Sequence, residues 1–277
     1  SIDDYLNVYT AKRSELWQEE KPPSGYESTV STTWNLSLGQ LSDVSRMFVQ
    51  LLSFLAPDNT TWEMLKNGRE LLPQGIQDLC TNQIKRNRTI RELTDFSLVE
   101  ASTDGMSIHR MLQVVIRQQL PPAERSKVAD AAVIVVSKAF PFKENEPTTW
   151  SLAEKMINHV VSSTNNAVES WPAICGELLN RAGLCLHALG RYCDAQSLLE
   201  KAIKVNLKHY EPDDPILAVC YSNLAPAERA LGNPKEARLL LEKAIKINLN
   251  NCGPDDPILA ACYSNLGIAE QDLGNLK

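Results

Sequence analysis

Histidine and cysteine side chains are the groups in this chain that could bind a metal ion or act as nucleophiles. The 277 residues include four histidines and seven cysteines. The histidines lie far apart and lack the short spacing of zinc ligands, at His109, His159, His187 and His209. The cysteines are odd in number, scattered and without a C-x-x-C pair, which favours free thiols in a reducing compartment over disulfides or a zinc site. We therefore expect no metal ion and a cytoplasmic location.

Paired carboxylates at Asp213-Asp214 and Asp255-Asp256 could serve acid–base chemistry or bind calcium. Each pair directly precedes a proline that begins a predicted helix. A carboxylate there caps the first turn and interacts favourably with the helix dipole, so we favour capping over a calcium site. The sequence contains no phosphate-binding loop, dinucleotide fingerprint, zinc-protease motif or nucleophile elbow. It thus predicts no catalytic residue, no enzyme activity and no cofactor held by this chain alone.

A basic cluster at Lys85, Arg86, Arg88 and Arg91 could contact nucleic-acid phosphates. The chain has a formal net charge of −6, and no aromatic residue is interleaved with the cluster. A solvated helix face is therefore the favoured interpretation, and we do not expect nucleic-acid binding. With 43% hydrophobic and 22% charged residues the chain has a globular composition. No apolar run approaches the roughly 20 residues of a membrane helix, so we expect no membrane span.

The C-terminal part of the chain repeats itself. Residues 198–204 (LLEKAIK) return as residues 240–246, and residues 212–218 (PDDPILA) return as residues 254–260. Both offsets are 42 residues, and a fixed period of this size predicts stacked supersecondary units. Two apolar stripes at helical spacing flank a turn at residues 231–234, so each unit is predicted to be helix A, tight turn, helix B. The stripes are Leu217, Tyr221, Leu224 and Ala227, then Ala237, Leu241, Ala244 and Leu249.

Small residues at fixed places in each unit resemble the tetratricopeptide pattern. The second unit has Leu224-Ala225, Gly232, Ala237 and Ala244; the first has Ala182-Gly183, Gly190, Ala195 and Ala202; the third has Leu266-Gly267 and Gly274. The period exceeds the usual 34 or so residues, which is similar to the kinesin-light-chain type of repeat. The resemblance covers residues 173–277, about 2.5 units. It implies an α-α superhelical solenoid that binds a protein or peptide on its concave face, and a third unit that stops before its helix B.

In such arrays the helices A line the concave side, and the resemblance implies which positions face it. These are Asn180, Arg181, Leu184 and His187 in the first unit, Ser222, Asn223 and Arg229 in the second, and Ser264, Asn265, Ile268 and Gln271 in the third. Stacked amides at Asn223 and Asn265 can donate and accept along a ligand backbone. Arg181 and Arg229 would favour acidic residues in the ligand. Pro226 lacks a backbone donor inside a helix A and should kink it. Ordinary solvated polar positions are the alternative interpretation.

The N-terminal part is predicted to be helical with one β-hairpin. Helices are predicted at residues 1–20, 26–41, 43–55 (capped by Ser42) and 73–85, with further starts at Thr60 and Thr89. Strands at 97–100 and 106–108 flank the Asp104-Gly105 turn, and a helix opened by His109 follows, with Met111, Leu112, Val115 and Gln119 on its inner face. This order is typical of a winged helix. Two more helices are predicted, from Pro121-Pro122 to Ala139 and over 147–162, the second with Trp150, Leu152 and Ile157 in the core.

Four short segments in this part resemble the end of an NB-ARC module, which belongs to the STAND-type signalling NTPases. They are residues 32–37 (TTWNLS), 51–55 (LLSFL), 96–99 (FSLV) and 108–113 (IHRMLQ). The resemblance covers about residues 1–120. It implies a phosphate-binding domain upstream, ADP or ATP bound by the parent protein, and oligomerisation on activation. The family's Met-His-Asp motif corresponds here to Ile108-His109-Arg110, so His109 would contact the β-phosphate of ADP, while the acid is replaced by arginine. The other interpretation of His109 is a structural residue at a helix start.

Taken together, the sequence predicts a mainly all-α chain with three regions. Residues 1–120 would end an NB-ARC-like winged-helix region with a small β-hairpin, 121–169 would be a helical linker, and 170–277 would be the tetratricopeptide solenoid. The chain begins without Met and stops within a repeat, so we expect an excerpt of a longer protein. The predicted function is a non-catalytic, protein-binding part of a nucleotide-dependent switch, as in immune or incompatibility receptors. A plain adaptor and a winged-helix DNA-binding regulator are the alternatives.

Overall fold

Where the structure describes it, the chain is mainly α-helical with one two-stranded antiparallel sheet, as the sequence predicts. A computed structural model describes residues 30–103, 105–167, 169–252 and 257–275. The helix predicted over residues 1–20 lies outside the described residues. The α-helices are α1 (Val30–Gln40), α2 (Asp43–Leu52), α3 (Trp62–Asn67), α4 (Gln74–Thr81), α5 (Gln83–Asp95), α6 (Arg110–Gln119), α7 (Pro122–Ala139), α8 (Trp150–Ala167), α9 (Pro172–Ala188), α10 (Tyr192–Leu207), α11 (Pro215–Ala230), α12 (Pro234–Cys252) and α13 (Pro257–Asp272). Short 3-10 turns at Arg69–Leu71 and Pro147–Thr149 complete the helical part.

Helix α2 is the centre of the N-terminal unit, which comprises α1–α6 and the sheet. Four of its apolar residues, Phe48, Val49, Leu51 and Leu52, are fully buried, and Phe48 stacks on Trp62 with ring centroids 5.2 Å apart. Ser42 caps the helix as predicted, because its Oγ accepts from the Ser45 N–H. Glu92 of α5 then accepts hydrogen bonds from the Ser42 and Ser45 hydroxyls at 2.7 and 2.6 Å. A carboxylate thus joins α5 to the start of the central helix. The helix ends at Leu52 rather than residue 55, while residues 53–55 stay buried in a turn.

Two of the predicted helix starts were wrong. Thr61, not Thr60, caps α3 by accepting from the Met64 N–H, while Thr60 is buried and pairs with Met106 in an isolated bridge. The helix predicted over residues 73–85 breaks at Asn82, whose Oδ1 accepts from the Lys85 N–H and so begins α5. Thr89, the predicted start, is buried within α5. An asparagine carbonyl competes for the free N–H groups of a helix start, and here it wins over continuation of the helix.

The β-hairpin pairs β1 (Val99–Ala101) with β2 (Met106–Ile108), in the register Val99↔Ile108 and Ala101↔Met106. The second strand is as predicted. The first begins two residues later than expected, after Ser97 adopts a left-handed backbone with φ 54°. Asp104 of the predicted turn lies outside the described residues.

Helix α6 follows β2 and closes the N-terminal unit. Leu112 and Val115 are buried as predicted, but Gln119 is exposed, so its predicted inner position was wrong. Gln113 is buried instead and donates to the carbonyls of Leu52 and Leu55, both at 3.0 Å. A buried amide therefore satisfies backbone acceptors at the end of α2, which apolar periodicity alone does not reveal.

Helices α7 and α8 connect the N-terminal unit to the repeats. The buried side of α7 carries Ala129, Ala132, Val133, Val135, Val136 and Ala139. Trp150 begins α8 half-buried and donates from Nε1 to the Lys143 carbonyl at 3.0 Å. Ile157 is buried, whereas Leu152 is 53% exposed and is not part of the core that was predicted for it. The hydrophobic core is continuous from Leu41 to Val205 and so joins the N-terminal unit, α7–α8 and the first repeat.

The repeats form the predicted hairpins α9–α10 and α11–α12, followed by α13 as the third helix A. Gly190 and Gly232 adopt φ of 75° and 84° in the tight turns, a backbone that glycine adopts without strain. A Cβ on Gly183 would lie 2.6 Å from the Leu199 Cγ, which confirms that α9 and α10 cross closely through a small residue. Leu249 was predicted to lie on the buried stripe of helix B, but it is 42% exposed. The neighbouring Asn248 is buried instead. No helix in the described part of the chain is both long and apolar enough to cross a membrane.

Candidate functional site

The helices A of the three units place their predicted polar residues side by side. Asn223 of α11 donates from Nδ2 to Oδ1 of Asn180 on α9 at 3.1 Å. Both amides are half-buried. Asn265 of α13 is also half-buried, Ser264 is exposed, and Ser222 accepts a long contact from the Cys262 thiol at 3.6 Å. The packing of α11 on α9 therefore brings two of the predicted asparagines into direct contact, although they lie 43 residues apart.

The two predicted arginines both have partners within the fold. Arg181 donates from Nη2 to the Phe140 carbonyl at 2.7 Å, and its guanidinium lies 5.5 Å from the centroid of the Phe140 ring. Arg229 pairs with Asp272 of α13 at 3.6 Å. Arg181 thus holds the segment after α7, and Arg229 links neighbouring helices A. An acidic ligand would have to compete with these contacts.

An apolar row runs beside the amides at equivalent places in the three helices, through Leu184, Pro226 and Ile268. Helix α11 continues through Pro226 without interruption. The ring of His187 contacts the Pro226 carbonyl and lies 5.3 Å from the Tyr192 ring. Burial is the main cause that lowers the pKa of His187 below its ordinary value. A neutral ring here adds a hydrogen-bonding group rather than a charge to this face.

Asn265 differs from the other two asparagines because it forms no hydrogen bond to any residue that the structure describes. It lines a small cavity of about 20 Å³ together with Ala225, Pro226 and Arg229. The Asn265 amide is therefore available to a ligand on the side where these helices A lie next to one another. We call the surface of α9, α11 and α13 that carries Asn180, Asn223, Asn265 and the apolar row the amide face.

His109 lies in the N-terminal unit and caps α6. Its Nδ1 accepts from the Met111 N–H at 3.2 Å, and its ring lies 5.9 Å from the Trp34 ring. A neutral imidazole that accepts at Nδ1 carries its proton on Nε2. Because the residue is exposed, Nε2 can donate to a group from outside the described structure while Nδ1 keeps its capping role.

A buried histidine, His159, has a structural role that was not predicted from the sequence. Its Nδ1 accepts from the Ala56 N–H at 3.1 Å, its Nε2 donates to the Asn59 carbonyl at 3.2 Å, and the residue is 1% exposed. Burial lowers the pKa of His159 to about 4, against weaker opposing effects of its backbone hydrogen bonds. Helical spacing from Met156 through His159 to Ser163 on α8 is the signal that could have placed it inside.

Possible metal ligands and cysteine thiols are spread over the described residues. No group of three or more His, Cys, Asp or Glu side chains that could hold a metal ion is present there. Burial raises the pKa of Cys175 to about 12 and that of Cys185 to about 11, so these thiols stay protonated. Asp214 caps α11 as predicted, with Oδ1 accepting from the Ile216 N–H at 2.8 Å. Asp255-Asp256 lie outside the described residues.

The basic cluster on α5 is partly used within the fold. Lys85 pairs with Asp78 at 2.6 Å, and the Arg86 guanidinium lies 4.6 Å from the centre of the Trp62 ring while donating to two backbone carbonyls of α4. Two of the four basic residues, Lys85 and Arg86, are therefore already engaged within the protein and less available to a nucleic-acid phosphate.

Comparison with known families matches two parts of the chain. Residues 175–250 match the Tetratricopeptide repeat family, which confirms the repeat assignment for that stretch. Residues 36–125 match a Domain of unknown function (DUF7779), and no family match supports the NB-ARC resemblance there. No curated protein matches the chain. Tetratricopeptide repeats suggest a protein-binding role, as an adaptor or scaffold.

Proposed function

We propose that this chain is the non-catalytic, protein-binding part of a nucleotide-dependent signalling switch, and that its amide face binds an extended peptide. The observation that carries the peptide part is the run of asparagines on neighbouring helices A, in which Asn265 has no partner among the described residues. An asparagine amide can donate to and accept from a peptide backbone. Such a run can therefore bind extended peptides of many different sequences. The repeat match at residues 175–250 supports a protein partner.

The same surface indicates how the ligand would be held. Asn223 donates to Asn180 through Nδ2, which leaves its Oδ1 to accept from a ligand N–H. The row Leu184, Pro226 and Ile268 lies beside the amides and can take an apolar side chain of the ligand. Both arginines are already paired. We therefore expect recognition to rest more on backbone and apolar contacts than on ligand charge.

The experiment for peptide binding uses the whole chain on an array of extended peptides. Asn265→Ala removes an amide that has no role in the described fold, and we expect it to weaken capture about threefold to tenfold, since one hydrogen bond is lost. Asn250→Ala, on an exposed position near the end of α12, is the matched control and should bind as the wild type does. Equal retention of every peptide by both variants would show that the ligand does not lie along the amide face.

The switch part of the proposal rests on the NB-ARC resemblance and on the Nε2 of His109, which forms no hydrogen bond to a described residue. In the parent protein this Nε2–H would donate to the β-phosphate of ADP. The test is to purify the parent protein, release its nucleotide by denaturation and quantify ADP by chromatography. We expect His109→Ala to retain less ADP, and His209→Ala, also exposed, to retain the wild-type amount.

A plain adaptor without a switch is the second candidate. It is favoured by the match of residues 175–250 to the Tetratricopeptide repeat family, because such repeats suggest an adaptor or scaffold role. The two candidates differ in the nucleotide assay. A parent protein that carries no ADP or ATP, and binds none on addition, would establish the adaptor and rule out the switch.

A further inference from the structure

A cleft of about 450 Å³ lies where the N-terminal unit meets α8. Three segments form its walls: the loop after α2, one side of α6, and the start and middle of α8. A volume of this size is typical of small-molecule sites. The polar and charged residues that line it include Asp58, Asn59, Arg110, Arg117, Lys155 and Asn158.

The cleft has an excess of positive charge. It contains three basic residues and one acid, although the chain as a whole has a net charge of −6. Three other clefts, of about 710, 520 and 290 Å³, each contain acids and bases in equal number. Arg110 and Lys155 are exposed, and neither lies within ion-pair distance of a described carboxylate. The charges of Arg110 and Lys155 are therefore not neutralised by an ion pair within the described fold.

The walls of the cleft are held in place by buried contacts. His159 fixes the loop at both ends, through the Ala56 N–H and the Asn59 carbonyl. Gln113 anchors α6 to the carbonyls at the end of α2. The Arg117 guanidinium donates to the Ser53 carbonyl, which fixes its charge at the cleft. Because the walls are already fixed, only the exposed side chains have to become ordered when a ligand binds.

We propose that this cleft binds a small, multiply charged phosphate compound. The guanidinium of Arg110 and the ammonium of Lys155 contact the phosphate oxygens, because a guanidinium fork and a lysine charge both suit phosphate. Arg117 adds a fixed positive charge, and Asn158 offers amide donors. Asp58 repels phosphate, so it lies against a neutral part of the ligand and accepts from a hydroxyl group there. The site is separate from the amide face and does not depend on the proposed function.

Binding would also connect two parts of the chain. Arg110 and Arg117 belong to α6 of the N-terminal unit, whereas Lys155 and Asn158 belong to α8, which packs on the first repeat. A ligand held by both helices stabilises the folded state by mass action. We therefore expect the melting temperature to rise with ligand concentration.

The test uses inorganic tripolyphosphate with the whole chain, by isothermal titration calorimetry and thermal unfolding. We expect one site per chain, a raised melting temperature, and a loss of at least about tenfold in affinity for Arg110→Gln/Lys155→Gln. The control Arg88→Gln/Arg91→Gln removes the same net charge from the balanced cleft beside α5 and should keep the wild-type affinity.

Two results would overturn the proposal. One is no binding of tripolyphosphate by the wild type at low ionic strength. The other is an equal loss in both double variants, which would indicate general charge attraction rather than a site. In a second arm, soluble inositol trisphosphate is compared with vesicles that carry phosphatidylinositol bisphosphate. Binding to the soluble compound alone assigns a free ligand, whereas binding to vesicles as well assigns a lipid headgroup.

Discussion

A single buried ring, His159, supplies both hydrogen bonds that hold the loop after α2 against α8. One nitrogen accepts from Ala56 and the other donates to Asn59, and only the neutral ring can do both. Its helical spacing in the sequence could have predicted that this residue lies on the buried side of α8. The backbone partners could not be predicted, because they lie about 100 residues away and depend on how two separate elements pack.

The neutral state of His159 makes stability depend on pH. Its pKa is about 4 in the folded protein against an ordinary value of 6.5. The unfolded chain therefore binds more protons between these values, and folding loses stability as the pH falls from 6.5 towards 4. The full loss is about 3 kcal/mol. Urea unfolding at a series of pH values from 7 to 4 measures it.

A matched pair of variants isolates the contribution of His159 from the carboxylates and from His187, whose pKa is also lowered. His159→Gln should be less stable than the wild type at pH 7, and the difference should shrink as the pH falls. His209→Gln, at an exposed position, should follow the wild-type curve. A stability difference between His159→Gln and wild type that does not change with pH would contradict the buried neutral ring.

The elements themselves were largely predictable, and their ends were not. Apolar stripes at helical spacing predicted α2, α7 and the repeat helices, because burial of one face dominates their stability. Helix starts depend on single side chains instead. Thr60 and Thr61 offer the same hydroxyl one residue apart, and pairing of Thr60 with Met106 decides which of them caps α3. That choice is made by the tertiary fold, so the sequence pattern could not supply it.

The crossing of α9 and α10 leads to a prediction at the scale of helices. A Cβ at Gly183 would meet the Leu199 Cγ at 2.6 Å, whereas the equivalent Gly267 on α13 has no described atom within 4 Å of that place. Gly183→Ala should therefore destabilise the protein by about 1–3 kcal/mol through overpacking. Gly267→Ala should be neutral or stabilising by up to about 1 kcal/mol, because alanine favours a helix.

Thermal and urea unfolding of the two alanine variants measure this difference. The two positions are equivalent in the repeat, so intrinsic helix propensity contributes equally to both. A Gly183→Ala protein as stable as Gly267→Ala would mean that α9 and α10 can separate without cost. The close crossing would then contribute nothing to the free energy of unfolding.

At the scale of the whole molecule, the hydrophobic core extends across the boundaries between the three regions predicted from the sequence. The sequence predicts breaks near residues 120 and 169, where polar stretches and prolines occur. The buried cluster instead runs from Leu41 to Val205, while α11–α13 are held by two smaller clusters. Helices α7 and α8 lack the small-residue pattern of the repeats and are joined by a longer connector. Their packing on α9 therefore could not be predicted from the periodicity of the sequence.

This arrangement predicts how the chain opens. A solenoid transmits stability only between neighbouring units, whereas one continuous core opens as a unit. Val136→Ala, at a fully buried position of α7, should lower amide hydrogen-exchange protection in α2, α8 and α9 together. Leu241→Ala in α12, also buried, should lower protection in α11–α13 and leave α2 unchanged. Mass spectrometry of exchanged peptides resolves the two patterns. An effect of Val136→Ala confined to residues 121–169 would instead support an independent linker, and the shared core would not act as one cooperative unit.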